Sequence, residues 1–182
     1  MSEPKGLARD ALGALRRLGA CADRCEVRRD HPDYAELASG PLAVSVVYGL
    51  GLPSREPREY MADVSVELPS GRRVTLSVST GASPDEALKD AVGRACRTAA
   101  ALARHLLHLY VDVAASPDTC GDDSDCRRAA YGAENALAEF ITDAARRAAE
   151  AARALGCSNA GEVEGAADGV KLVADAMLGG CG

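Results

Sequence analysis

Aromatic side chains are scarce: this 182-residue chain has no tryptophan, one phenylalanine (Phe140) and five tyrosines. About a fifth of the residues are alanine instead, so helices are expected to pack closely on small side chains. Glutamine is absent and asparagine occurs only at Asn135 and Asn159. Few thermolabile amides beside many charges fit a hyperthermophile. Lysine, usually enriched in such proteins, is rare here against arginine, a bias that a GC-rich genome also produces. The longest uncharged run, residues 37–54, contains Pro41, Pro53 and three glycines. It reads as a strand with flanking loops, which excludes a membrane helix. The chain opens Met1-Ser2-Glu3-Pro4 with no charged-then-apolar leader, and a cytoplasmic location is expected.

Catalytic signatures are missing as well. There is no G-x-S-x-G, Walker A, HExxH or C-x2-C pattern. Gly49-Leu50-Gly51 follows a strand, but no helix starts at once after it, as a dinucleotide fingerprint requires. No catalytic residue is assigned and no cofactor is implied, so the expectation leans away from an enzyme.

What the chain does have is acid and cysteine. The formal charge is −6, and residues 118–182 alone carry twelve acidic against six basic groups. Such a chain repels phosphate backbones at long range, which disfavours nucleic acid except at a local arginine patch. Seven cysteines is an odd number, so at least one is free or pairs between chains. Without a leader they point to metal ligands, catalysis or the intracellular disulfides of hyperthermophiles, and the composition favours the disulfides.

Periodicity lays out the elements. A first helix is expected from Lys5 to about Ala22 on Leu7, Ala11, Ala14, Leu15 and Leu18. A strand follows at Leu42–Tyr48. Tyr60–Leu68 alternates cleanly, Pro69-Ser70-Gly71-Arg72 turns the chain, and Val74, Leu76 and Val78 then form the dry side of a second arm opposite Arg73, Thr75, Ser77 and Ser79. The strongest helix runs from Ser83 to Val113, with Ser83, Pro84 and Glu86 as its capping start. Ser124 is expected to cap a helix to Leu155 whose apolar stripe includes Phe140, and Gly156 to stop it. Asn159 and Glu162 make the next capping pair, before a helix to about Leu178. The expectation is an α+β protein, α-β-β-β-α-α-α. Residues 1–117 form a core with a three-stranded antiparallel meander, and residues 118–182 a helical hairpin packed on it, together one compact domain.

Antiparallel helices bring the end of the last one back towards the start of the previous one. The preferred disulfide candidates are therefore Cys120–Cys126, or one of these with Cys181. Cys21 and Cys25 can bond only if the helix frays around them, and Cys96 reads as a buried, inert thiol. His105, His108 and Asp112 share a flank of the central helix and make a candidate metal site. Asp118, Asp122, Asp123 and Asp125 lack the glycine and glutamate positions of a calcium loop and read as helix capping.

The order helix, strands, helix over residues 5–113 resembles the layout of double-stranded RNA-binding domains, with His31-Pro32-Asp33-Tyr34 before the first strand. That family opens its second helix with a lysine-rich stretch that grips phosphates; here the stretch is Ser83-Pro84-Asp85-Glu86-Ala87-Leu88. The resemblance implies a nucleic-acid-associated module using Arg16, Arg17, Arg24, Arg28, Arg29, Arg55 and Arg58. The leading expectation is a non-enzymatic assembly or adaptor subunit that works through protein contacts as a homodimer, the metal site being a further alternative.

Overall fold

A computed structural model of the chain describes residues 6–21, 24–49, 59–114 and 120–179. Along it run α1 (Leu7–Arg17), β1 (Glu26–His31), β2 (Tyr34–Ser39), β3 (Leu42–Tyr48), β4 (Tyr60–Glu67) and β5 (Arg73–Gly81). Three helices follow: α2 (Pro84–Ala114), α3 (Ser124–Ala154) and α4 (Ala160–Gly179). The α+β class holds, but the sheet has five strands, not three, in the antiparallel order β1-β2-β3-β4-β5.

The two extra strands precede the expected meander, and both lack the alternation that marks a half-buried strand. In β1 five of six residues are exposed; it is a charged edge strand, a composition that discourages further pairing. In β2 Ala35 and Leu37 are buried on one face, yet Glu36 and Ala38 are buried on the other. A segment of Ala, Glu and Leu that is dry on both sides carries no period of two.

β5 departs from its expected facing. The β4–β5 register shifts between Val64 and Ser65, and a one-residue shift sends following side chains to the opposite face. Ser77 and Ser79 are therefore buried, while Val78 is 44% exposed. Ser77 Oγ donates to the Ala91 carbonyl of α2 at 2.6 Å, and Ser79 Oγ reaches Asp90 Oδ2 at 3.4 Å. The serines pin β5 to the helix instead of facing water.

The caps decide where helices begin and end. Ser83 Oγ accepts from Glu86 N at 3.2 Å and Glu86 Oε2 from Ala82 N at 3.0 Å, a capping box whose glutamate reaches the amide one residue before the cap. At α3 the N-cap is Asp123 and not Ser124, its carboxylate accepting from the amides of Asp125 and Cys126. Asn159 does not cap α4 with its side chain but donates Nδ2 to the Cys96 carbonyl at 3.1 Å. α1 stops at Arg17, five residues before its expected end: Gly19 turns left-handed at φ 73° and Cys21 follows at φ 55°. Gly156 ends α3 at φ 68°, and a Cβ there would lie 2.7 Å from the Gly19 carbonyl oxygen. The chain after α1 thus rests directly on the end of α3.

Helices α1 and α2 cover one face of the sheet, and α3 and α4 pack on α2. The main core joins Leu15, Leu37, Val44, Val64 and Leu88 to a ladder of fully buried alanines on α2, Ala91, Ala95, Ala99 and Ala103. A smaller cluster around Leu106, Ile141, Ala145 and Val170 holds the helical layer. Small side chains at steps of four let the helix backbones approach closely. Phe140 does not join this packing; it is 50% exposed on α3. The Cys96 thiol is not free either, since Cys96–Cys157 is a disulfide with 5.5 Å between Cα atoms, fastening α2 to the α3–α4 turn.

Candidate functional site

Among the described residues, a dense polar cluster lies on the sheet face away from α1 and α2. Its floor is a row of small residues, Ala38 opposite Ala43 opposite Ser65, all buried. Glu36 stands two residues from Ala38 on β2 and Glu67 two residues from Ser65 on β4, so both share that face. The β1 register is irregular between Val27 and Arg29, and a bulge of this kind re-aims side chains. Arg28 and Arg29 both reach the cluster.

Four groups converge on the Glu36 carboxylate. Arg73 Nη2 donates to its Oε1 at 2.6 Å and the Tyr34 hydroxyl to its Oε2 at 2.8 Å. Arg29 Nε lies 3.9 Å from Oε2 and Arg28 Nη1 lies 4.0 Å from Oε1. Arg28 also donates to Glu67 Oε2 at 2.5 Å, and Arg147 of α3 donates to the Glu67 carbonyl at 2.7 Å. β2 and β5 are three strand spacings apart, about 14 Å. Arg73 and Glu36 meet because their side chains lie along the sheet, over the small-residue floor. That covering leaves the Glu36 side chain only 5% exposed, while Arg28 and Arg73 keep 37% and 38%.

The electrostatics follow from this geometry. Burial pushes the Glu36 carboxyl upward, but hydrogen bonds from Arg73 and Tyr34 and the charges of Arg73 and Arg29 outweigh it, leaving the group below its ordinary value. The hydrogen bond from Arg28 holds Glu67 below its ordinary value too. Burial and the bond to Glu36 raise the Tyr34 phenol, and the bond to Glu36 raises Arg73. Glu36 is thus an anion whose acceptors are already occupied. Such a group pins structure; it is neither a poised base nor a nucleophile.

The arginines expected at a nucleic-acid face have different surroundings among the described residues. Arg28 and Arg29 join the Glu36 cluster, whereas Arg17 pairs with Asp85 at the start of α2. Arg16 is exposed on α1, and Arg24 lines a separate cleft near the end of α3. Arg55 and Arg58 lie outside the described residues. His105 and His108 are both exposed on α2, and the Asp112 side chain lies outside the described part. Among the described residues no group of three or more His, Cys, Asp or Glu could hold a metal ion. The Cα atoms of the disulfides Cys120–Cys126 and Cys21–Cys25 are 5.6 Å and 5.1 Å apart. Cys181 lies outside the described residues. No described helix is long and apolar enough to cross a membrane.

Sequence reasoning missed Glu36, Glu67, Tyr34 and Arg73. The one available signal was a single acidic residue, Glu36, set between the apolar Ala35 and Leu37. Comparison with known proteins adds nothing to this geometry: no family model, curated protein or solved structure matches the chain.

Proposed function

We propose that the chain is a non-enzymatic assembly or adaptor subunit that acts through protein–protein contacts, first of all with a second copy of itself. The observation that supports this is Phe140. It is the only phenylalanine of an aromatic-poor chain, and α3 leaves it 50% exposed beside the exposed Ala129, Ala133 and Ala136 at helical spacing. Phenylalanine is enriched in the buried centres of interfaces, and flanking alanines let a second helix approach closely. The occupied carboxylate of Glu36 and the different surroundings of the arginines give catalysis and phosphate binding less support. We take the source as a hyperthermophile and the location as cytoplasmic, the scarcity of thermolabile amides being the support and disulfides being common inside such cells. Sedimentation velocity over a range of concentrations tests the reading. The wild-type chain is expected to sediment as a dimer and Phe140→Asp as a monomer with unchanged helix content. A wild-type monomer throughout ends the self-association reading.

A further inference from the structure

β5 is the last strand of the sheet, so one of its edges carries no neighbouring strand. The two edges of the sheet differ. β1 is exposed and charged, with Arg28, Arg29 and Asp30 along it, which opposes pairing with another strand. β5 holds no proline and no charged residue after Arg73, and Thr75, Val78 and Thr80 are exposed. A register shift interrupts it opposite the step from Val64 to Ser65, but residues 77–81 keep an unbroken pairing with β4. Among the described residues β4 and α2 are the elements that pack closely on it. In an edge strand every second residue turns its N–H and C=O away from the ladder, and those groups are a template for one more strand.

Helix α2 flanks that edge, since it lies over β5 more than over β4. Asp90, which Ser79 Oγ reaches at 3.4 Å, shares one side of the helix with Arg94, Arg97 and Ala101 at steps of four, three and four, and all four are exposed. The helix and the strand run in opposite directions: Ser79 meets Asp90, whereas a Cβ on Gly81 would lie 2.7 Å from Ala87 N. Later residues of α2 thus accompany earlier residues of β5, and Arg97 stands towards the Arg73 end, where Arg72 is also exposed. Asp90 is paired with Arg94 at 3.1 Å. Among the described residues no carboxylate pairs with Arg97 or Arg72.

We propose that this edge is a strand-addition site for a partner protein: it takes an extended segment, rich in β-branched residues and acidic at its C-terminal end, as a sixth antiparallel strand. The proposal rests on the adaptor reading above but uses a surface other than the Phe140 helix. Each property of the segment follows from the edge. An antiparallel strand runs opposite to β5, so its first residues lie beside Gly81 and its last beside Arg73, where Arg72 and Arg97 have no carboxylate of their own. Backbone bonds to residues 77–81 supply the attachment, and β-branched side chains pack across the pair on Val78 and Thr80. Charge at the far end fixes direction and selects the partner. β5 of a second copy is the poorer occupant, because it carries no acidic residue.

The probe is the synthetic peptide fluorescein-Thr-Val-Thr-Val-Thr-Glu-Glu-amide, read by fluorescence anisotropy on the folded full chain. Binding is expected to weaken about tenfold when both glutamates become lysines, and by a similar factor for Arg97→Glu with helix content unchanged. Arg97→Glu should then prefer the lysine probe. No binding at millimolar protein, or equal affinity for the two probes, overturns the proposal. Methylating one alternate set of the probe's backbone nitrogens is expected to abolish binding and methylating the other set to leave it; equal effects overturn strand addition. Hydrogen exchange is expected to slow within residues 77–81 and to stay unchanged on β1, and slowing on β1 instead overturns the choice of edge. Phe140→Asp should bind the probe as the wild type does, so a failed dimer and a failed strand site are told apart; loss of binding in that variant overturns the separate surface. A wild-type species larger than a dimer that Val78→Lys breaks up, with no probe binding, puts a second copy on β5 and overturns the partner named.

Discussion

Leu37 and Glu36 are neighbours on β2, both almost inaccessible, and the sheet sends them to opposite faces. Leu37 enters a core of aliphatic and alanine side chains beneath α1 and α2, where burial is favourable without any partner. Glu36 is buried only because Arg73, Tyr34, Arg28 and Arg29 come to it. One face is held by area, the other by a specific set of partners. The first tolerates imprecise packing; the second fails when any one member is removed.

The helix-covered side should give the largest effects. Replacing Cys96 and Cys157 together by alanine removes the link between α2 and the α3–α4 turn. On the loop-entropy estimate this costs about 4 kcal/mol, against about 2 kcal/mol for Cys120→Ala with Cys126→Ala. Urea unfolding of the two variants measures the difference, and equal midpoints would deny the long-range disulfide its special role. Next comes Leu88→Ala. Leu88 is fully buried on α2 within the main core, and a cavity there costs about 3 kcal/mol. A loss below about 1 kcal/mol would mean that the alanine-rich surroundings collapse into the space.

Legibility in the sequence followed this contrast. β3, β4 and the whole of α2 announce themselves because their apolar residues recur at the period of their element and face one continuous core. The capping box at Ser83 and Glu86 was readable for the same reason, being a local device. β1 and β2 were not, since what stabilises them is a network whose members lie on four strands: Arg28, Glu36, Glu67 and Arg73. Their pairing is set by sheet register, which no window of sequence contains. Val78 and the two serines of β5 were misplaced by a single shift in register, and that shift too is a pairing event between strands. Cys96 was read as a lone thiol because its partner, Cys157, is brought close only when the helical layer forms.

The polar face predicts a smaller but more diagnostic response. Glu36→Ala removes the carboxylate that Arg73 hydrogen-bonds and is expected to cost about 2 kcal/mol. The paired substitution Glu36→Leu with Arg73→Met should cost less than the two changes made singly and summed, since each single change leaves the other group without its partner. A paired loss equal to the sum of the single losses would mean that the two residues act independently. Protonation probes the same network. The Glu36 and Glu67 carboxyls sit below their ordinary value in the folded chain, so folding favours their ionised forms. That stability is complete above the unfolded carboxyl pKa, about 4.3, and is lost as pH falls through the lower folded values. The midpoint of urea unfolding should drop below about pH 4.5, and Glu36→Gln should flatten part of that drop. Identical acid limbs would show that Glu36 contributes nothing to it.

The smallest effect belongs to an ion pair that looks similar by contact alone. Arg17 and Asp85 join α1 to the start of α2 as Arg73 and Glu36 join β5 to β2, yet their side chains are 63% and 56% exposed. Water and salt screen such a pair, and ordering two free side chains offsets most of its attraction. Arg17→Ala should therefore leave the urea midpoint within experimental error, whereas Arg73→Ala should lower it clearly. Raising the salt concentration should not change that ranking, because Glu36 is shielded from solvent by the arginine side chains that lie over it. If Arg17→Ala proves as damaging as Arg73→Ala, exposure is not what separates the two pairs, and the stabilisation of the polar face has to be sought in the packing of the arginine stems over Ala38, Ala43 and Ser65.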